Sequence, residues 1–142
     1  MKLVIGGYAQ GKLTYVLGQD RQKTYRVWDG EKLRDMDIPD EAAGTEQASG
    51  TDGTGETVIL NHFHLWVKDR LETGGDPERE IRQFLDRCPD CVIICDEIGN
   101  GIVPADAFER AYRERTGNML ITLAKEAEEV VRVVCGIGQK IK

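Results

Sequence analysis

The sequence predicts an α/β fold: a parallel sheet with helices on both faces. Three observations predict it. Short apolar runs alternate along the chain with stretches of helical spacing, as βαβ units require. One run, Cys91-Val92-Ile93-Ile94-Cys95, is apolar without a break, as expected of a strand covered on both sides. The first run, Lys2-Leu3-Val4-Ile5, closes on Gly6-Gly7 and passes into a helix-compatible stretch from Lys12 to Leu17.

The other elements follow in order. Thr24-Tyr25-Arg26-Val27-Trp28 alternates and carries β-formers, and Asp29-Gly30 marks a turn after it. Pro39–Thr57 is rich in Gly, Thr, Ser, Ala and acids and holds no large apolar residue, so residues 39–57 are expected to form a flexible loop. Val58-Ile59-Leu60 is a third strand. From Asn61 to Leu71 the spacing of Phe63, Trp66, Val67 and Leu71 suits a helix. Gly74-Gly75 interrupts it. Asp76 then suits the N-cap and Pro77 the first turn of another helix, whose buried face is Ile81, Phe84 and Leu85, up to Arg87. After Cys91–Cys95 a loop, Ile98–Pro104, precedes a long amphipathic helix from Asp106 to Glu129 with an interruption expected near Gly117. Val130–Cys135 is the last strand, followed by a basic tail ending Lys140-Ile141-Lys142.

Composition bounds the possibilities. At 142 residues, 40% hydrophobic and 31% charged, residues 1–142 read as one globular domain. The net charge of −6 argues against a protein built to neutralise nucleic-acid phosphates, while leaving room for a local cationic pocket. No run approaches the roughly 20 apolar residues that cross a bilayer, and Gly6-Gly7 breaks the opening run too soon for a signal peptide. A cytoplasmic location is expected. Of four cysteines, only Cys88-Pro-Asp-Cys91 has metal or redox spacing, and no second CxxC or HxxxH completes a zinc site. Buried thiols are the expectation, with CxxC redox chemistry the alternative.

Gly6-Gly7-Tyr8-Ala9-Gln10-Gly11-Lys12 fits G-x-x-x-x-G-K between a strand and a helix, the setting of a phosphate-binding P-loop. Glycines let successive N–H groups curl around phosphate oxygens, the helix N-terminus adds a favourable dipole, and Lys12 supplies a cation. The plainer alternative is a glycine-rich turn with a surface lysine. Leu13 stands where P-loop enzymes place the Ser or Thr that holds Mg²⁺, and Thr14 is rotated about 100° round the helix. Asp96 and Glu97 emerge at the C-terminal end of the apolar strand, the edge where open α/β sheets bind ligands. Either could serve as a Walker-B-type acid, Asp96 as the Mg²⁺ ligand, or both could be solvated turn residues.

Glu97-Ile98-Gly99-Asn100-Gly101-Ile102-Val103-Pro104, then Phe108, Arg110, Arg113 and Gly117, and the final Val133–Lys142 run resemble the adenosylcobinamide kinase/adenosylcobinamide-phosphate guanylyltransferase family of cobalamin biosynthesis. Leu3–Gly7 with Gly11-Lys12 resembles its opening strand and P-loop, and Leu65-Trp66 its Leu-Trp segment. The resemblance implies a P-loop NTPase-like fold, often trimeric, that phosphorylates the aminopropanol hydroxyl of adenosylcobinamide and transfers GMP from GTP through a guanylylated histidine. The chain departs from that pattern at Leu13, at Asn61 where the family has Asp, and at Leu120-Ile121 where it has Asn-Gln. No histidine lies in Asp29–Thr57, the interval for the covalent one.

The leading expectation is therefore an NTP-dependent cobinamide kinase that binds GTP or ATP, with Lys12, Asp96 and Glu97 as catalytic candidates and Gly6–Leu13 as the nucleotide-binding loop. The alternative is a catalytically degenerate nucleotide- or corrinoid-binding paralogue with a regulatory or assembly role. His62 and His64 diverge by about 200° if a helix starts at Asn61, which disfavours a shared metal site. Phe63 and Trp66 are expected in the core. Arg110 and Arg113 share a helical face and either approach phosphate or pair with neighbouring acids.

Overall fold

The computed structural model describes residues 1–33 and 55–142. Ten elements follow in chain order: β1 (Lys2–Gly6), α1 (Lys12–Gln19), β2 (Tyr25–Asp29), β3 (Thr57–Asn61), α2 (Phe63–Glu72), α3 (Pro77–Arg87), β4 (Val92–Asp96), α4 (Ala107–Glu126), β5 (Glu129–Val134) and β6 (Ile137–Lys140). They form one six-stranded sheet of order β2-β3-β4-β1-β5-β6. All pairings are parallel except β5–β6. Most of the expected loop, residues 39–54, lies outside the described residues, and β3 begins at Thr57.

Alternation along the strands divides the core into two layers. Leu3, Val58, Leu60, Ile93, Cys95 and Val130 pack with α2, α3 and α4 through Trp66, Phe84, Tyr112 and Leu123. Val4, Ile59, Ile94, Val131 and Val133 face the other way, against Val16, Leu13 and Tyr15 of α1. Helices thus cover both faces. Phe63 and Trp66 are fully buried and stack at 5.5 Å between ring centroids, as expected of core residues.

This arrangement positions the site. The chain leaves β1 toward α1 on one face and leaves the adjacent β4 toward α4 on the other, so a crevice opens between their C-terminal ends. Register puts Gly6 beside Asp96 across that crevice.

Three local expectations are corrected. The tail beyond Cys135 forms β6, reached through a two-residue turn with positive φ at Cys135 (50°) and Gly136 (76°), the geometry of a tight hairpin. Helix α4 runs unbroken through Gly117, its packing at Thr116 and Met119 outweighing a glycine cost of about 1 kcal/mol. Helix α2 starts at Phe63 rather than Asn61, because His62 takes a left-handed conformation (φ 52°, ψ 44°) and turns the chain. By contrast α3 begins as its sequence indicates: Asp76 accepts the Arg79 N–H at 3.2 Å, with Pro77 in the first turn.

Candidate functional site

The β1–α1 loop needs its glycines for two physical reasons. A Cβ at Gly6 would overlap the Val133 carbonyl oxygen of β5, and Gly11 caps α1 at φ 75°. The β5–β6 turn braces the loop from the side: the Cys135 N–H donates to Gln10 Oε1 at 2.7 Å and the Gly136 N–H to the Gln10 carbonyl at 2.9 Å. The result is a cavity of about 280 Å³ lined by Tyr8, Ala9, Gln10, Gly11, Lys12, Leu13 and Thr14 of the loop and α1, with Asn61, His62 and Asp96 opposite. Gly6 and Gly7 are not among its lining residues, and Tyr8 is largely exposed.

Lys12 is the central cation. It is 6% exposed, and its Nζ stands 2.6 Å from Asp96 Oδ1 and donates to the Gly7 carbonyl at 2.7 Å. The other Asp96 oxygen faces His64 Nε2 at 3.8 Å, while the Asp96 N–H donates to His64 Nδ1 at 3.4 Å. An unprotonated Nδ1 leaves the ring proton on Nε2, facing the carboxylate. Burial lowers the His64 pKa; Asp96 pulls the other way, and His62 and Lys12 reinforce the lowering. His64 is therefore a neutral imidazole beside a buried ion pair.

Glu97 turns out of this cavity. It pairs with Arg132 of β5 at 3.0 Å, and its N–H donates to the Gly6 carbonyl at 2.9 Å, which fixes the strand end but leaves the carboxylate over β5. Arg110 and Arg113 likewise do not reach the cavity's lining. Their guanidinium groups donate to the carbonyls of Pro104 and Ala105, and of Ile102, tying the loop after β4 to α4.

The P-loop setting raises Mg²⁺: Leu13 brings no side-chain oxygen to the cavity and the nearer Asp96 oxygen is the counterion of Lys12, which leaves Thr14, Asn61 and the second Asp96 oxygen as the side-chain oxygens on its wall. Cys88, Cys91 and Cys95 offer no reactive centre in its place. Cys88 and Cys91 are buried, and burial pushes the Cys91 and Cys95 thiols up to about 12, far from thiolate chemistry.

Sequence reasoning reads Asp29 only as a turn residue and weighs His64 only beside His62. Parallel register carries Asp29 beside Asn61, and His62 Nδ1 contacts Asp29 Oδ1 at 2.9 Å. Burial raises the Asp29 pKa, but hydrogen bonds from His62, the Glu31 N–H and Asn61, with the His62 charge, outweigh it and hold the group below its ordinary value. The two imidazoles, expected to diverge, lie edge to face with centroids 6.0 Å apart and serve different carboxylates, His62 toward Asp29 and His64 toward Asp96.

Residues 19–141 match the family model for cobinamide kinase / cobinamide phosphate guanyltransferase. The chain is 46% identical over 84 residues to the bifunctional adenosylcobalamin biosynthesis protein CobU of Salmonella typhimurium LT2, covering 58% of this chain and 46% of that protein. It is 40% identical over 106 residues to the protein of the same description from Escherichia coli K12, covering 61% and 59%. The chain thus spans about half the length of the curated relatives it matches. The span matched by the family model starts beyond the β1–α1 loop, so the cavity beside that loop stands on its own geometry. With most of the sheet and all the helices after α1 inside that match, the chain belongs to the cobinamide kinase / cobinamide phosphate guanyltransferase family.

Proposed function

We propose that the chain binds a nucleoside triphosphate, GTP or ATP, in the β1–α1 cavity and phosphorylates the aminopropanol hydroxyl of a cobinamide. The observation that carries this reading is Lys12, a buried ammonium at the mouth of a glycine-built loop, in the crevice where α/β sheets take their ligands. Loop N–H groups and the α1 N-terminus supply the remaining charge complementarity. Phosphoryl transfer asks the protein chiefly to position groups and neutralise charge. For the nucleotide to be gripped, Lys12 must exchange Asp96 or the Gly7 carbonyl for a phosphate oxygen.

Guanylyl transfer is not part of the reading, since no histidine lies in Asp29–Thr57, the interval where the resemblance places the covalent one, and His64 is buried. A second reading is favoured by the same Lys12–Asp96 contact. A loop whose lysine is already neutralised, next to Leu13, suits a catalytically degenerate paralogue that binds nucleotide or corrinoid in a regulatory or assembly role. Among the described residues no helix is long and apolar enough to cross a membrane, in keeping with a cytoplasmic biosynthetic role. Trimeric assembly, implied by the resemblance, is read directly by sedimentation.

The test is calorimetric titration of GTP, ATP and adenosylcobinamide, followed by assay for phosphorylated cobinamide. Nucleotide binding with turnover supports the kinase. Binding without turnover supports the degenerate paralogue, and no nucleotide binding refutes both nucleotide readings.

A further inference from the structure

Beyond β4, two and three strands from β1 at the same edge of the sheet, a second set of donors converges on the ends of β3 and β2. Asp29 ends β2 beside Asn61 of β3. Gly30 then carries the chain across His62 so closely that a Cβ there would overlap the His62 carbonyl oxygen, while the Gly30 N–H donates to the Asn61 carbonyl at 2.8 Å. This crossing brings Asp29, Glu31 and His62 together, with one ligand-capable atom of each within 4.8 Å of the others. It is the one such group of three or more among the described residues. Asp29 and His62 are half-buried and Glu31 is exposed, so the cluster is both held and open to solvent.

The polar contacts within it converge on one carboxylate. His62 Nδ1 lies 2.9 Å from Asp29 Oδ1, and the Asn61 amide nitrogen lies 3.5 Å from Asp29 Oδ2 and 3.2 Å from the same Nδ1. A proton on Nδ1 joins the ring to Asp29 while the Asn61 amide donates to the other carboxylate oxygen. Replacing that proton with a metal ion lets Nδ1 and Asp29 ligate together. Turning the Asn61 amide over presents its carbonyl oxygen to the same point, a rotation that leaves its shape unchanged.

We propose that Asp29, Glu31 and His62 form a binding site for a divalent first-row transition ion. Ligand atoms about 2.0–2.2 Å from an ion stand roughly 3–4.4 Å apart, so this set closes on one with a small side-chain adjustment. An imidazole nitrogen among carboxylates favours Mn²⁺, Co²⁺ or Zn²⁺ over Mg²⁺ or Ca²⁺, which take oxygen donors almost alone. Three protein ligands leave coordination positions open. Because His62 also lines the phosphate cavity, an ion held here borders the space assigned above to the nucleotide. The site itself needs no nucleotide.

The experiment is titration of nucleotide-free protein with Mn²⁺, read by loss of the free-ion EPR signal, with excess Mg²⁺ as competitor. One ion per chain is expected, resistant to Mg²⁺, with affinity falling at least tenfold in each of Asp29→Asn, His62→Asn and Glu31→Gln. Asparagine is chosen at His62 because it tolerates the left-handed backbone there. Glu31 is exposed, so Glu31→Gln reports on ligation without threatening the fold. Failure of the unsubstituted chain to bind Mn²⁺ up to millimolar concentration, or wild-type affinity in any of the three variants, overturns the proposal. Mn²⁺ binding in a chain that takes no nucleotide upholds this site and refutes the nucleotide readings; the reverse result does the opposite.

Discussion

Replacing Lys12 with methionine tests how the loop is held before any ligand arrives. The ammonium is 6% exposed and Asp96 is 6% exposed, with 2.6 Å between their charged atoms, so the pair belongs with buried rather than surface salt bridges. An exposed pair contributes at most about 1 kcal/mol. Removing one partner of a buried pair costs about 3–5 kcal/mol, because the other charge is stranded in a poorly solvating environment. An unfolding entropy of about 2.1 cal/mol/K per residue gives a chain of this length about 0.3 kcal/mol/K, so Lys12→Met should lower Tm by about 10–17 °C. The double variant Lys12→Met, Asp96→Leu removes both charges and should recover most of that loss. Nucleotide-free calorimetry or circular-dichroism melts at neutral pH measure both values. A fall of under about 2 °C for Lys12→Met, or a double variant no more stable than the single one, would show that Lys12 is solvated, and the reasoning would fail.

Three other expectations follow from the same region. His64 is neutral in the fold with a lowered pKa, so below its ordinary value of about 6.5 the unfolded chain binds more protons than the native one. Its contribution is complete above about pH 6.5 and is lost as pH falls toward the folded pKa; urea midpoints at pH 7.5 and 5.5 should converge in His64→Gln, and an unchanged difference would refute the assignment. Gly6→Ala pushes a methyl into the fixed Val133 carbonyl and should cost about 1–3 kcal/mol by denaturant titration, as overpacking does. Gly138→Ala meets only the swinging end of the Tyr15 ring and should cost much less; equal losses would contradict the distinction. A thiol reagent added to native protein should modify Cys135 alone quickly, since Cys88, Cys91 and Cys95 are buried, and rapid labelling that survives Cys135→Ser would revive CxxC chemistry.

What the sequence discloses and what it conceals divide along the range of the interactions involved. Signals confined to a few neighbouring residues read through to the structure. The unbroken apolarity of Val92–Cys95 marks a doubly covered strand, Asp76-Pro77 marks a helix start, and the spacing of Gly6, Gly11 and Lys12 marks a loop at a sheet edge. Strand β6 was hidden because Ile137-Gly138-Gln139-Lys140 has one large apolar residue and pairs only at the sheet's edge, through a Cys135-Gly136 turn that lacks the usual Asn-Gly signal. The rings of His62 and His64 meet rather than diverge because the helix starts at Phe63, not Asn61: a single left-handed residue puts the first imidazole outside the helix that carries the second.

The site itself follows the same rule. Glu97 follows Asp96 directly, yet only the pairing of β1 with both β4 and β5 reveals that Asp96 meets Lys12 while Glu97 meets Arg132. Asp29 reads locally as a turn residue, and only the β2–β3 register sets it beside Asn61 and His62. Two of the positions where the chain departs from the motif resemblance, Leu13 and Asn61, lie on the wall of the cavity that Asp96 also lines, and Asp29 abuts Asn61. Negative charge is thus present at the sheet edge but delivered from neighbouring strands, where spacing along the chain carries no record of it. A motif scored position by position registers two losses at this edge, whereas the folded sheet places Asp96 against the loop lysine and Asp29 against His62.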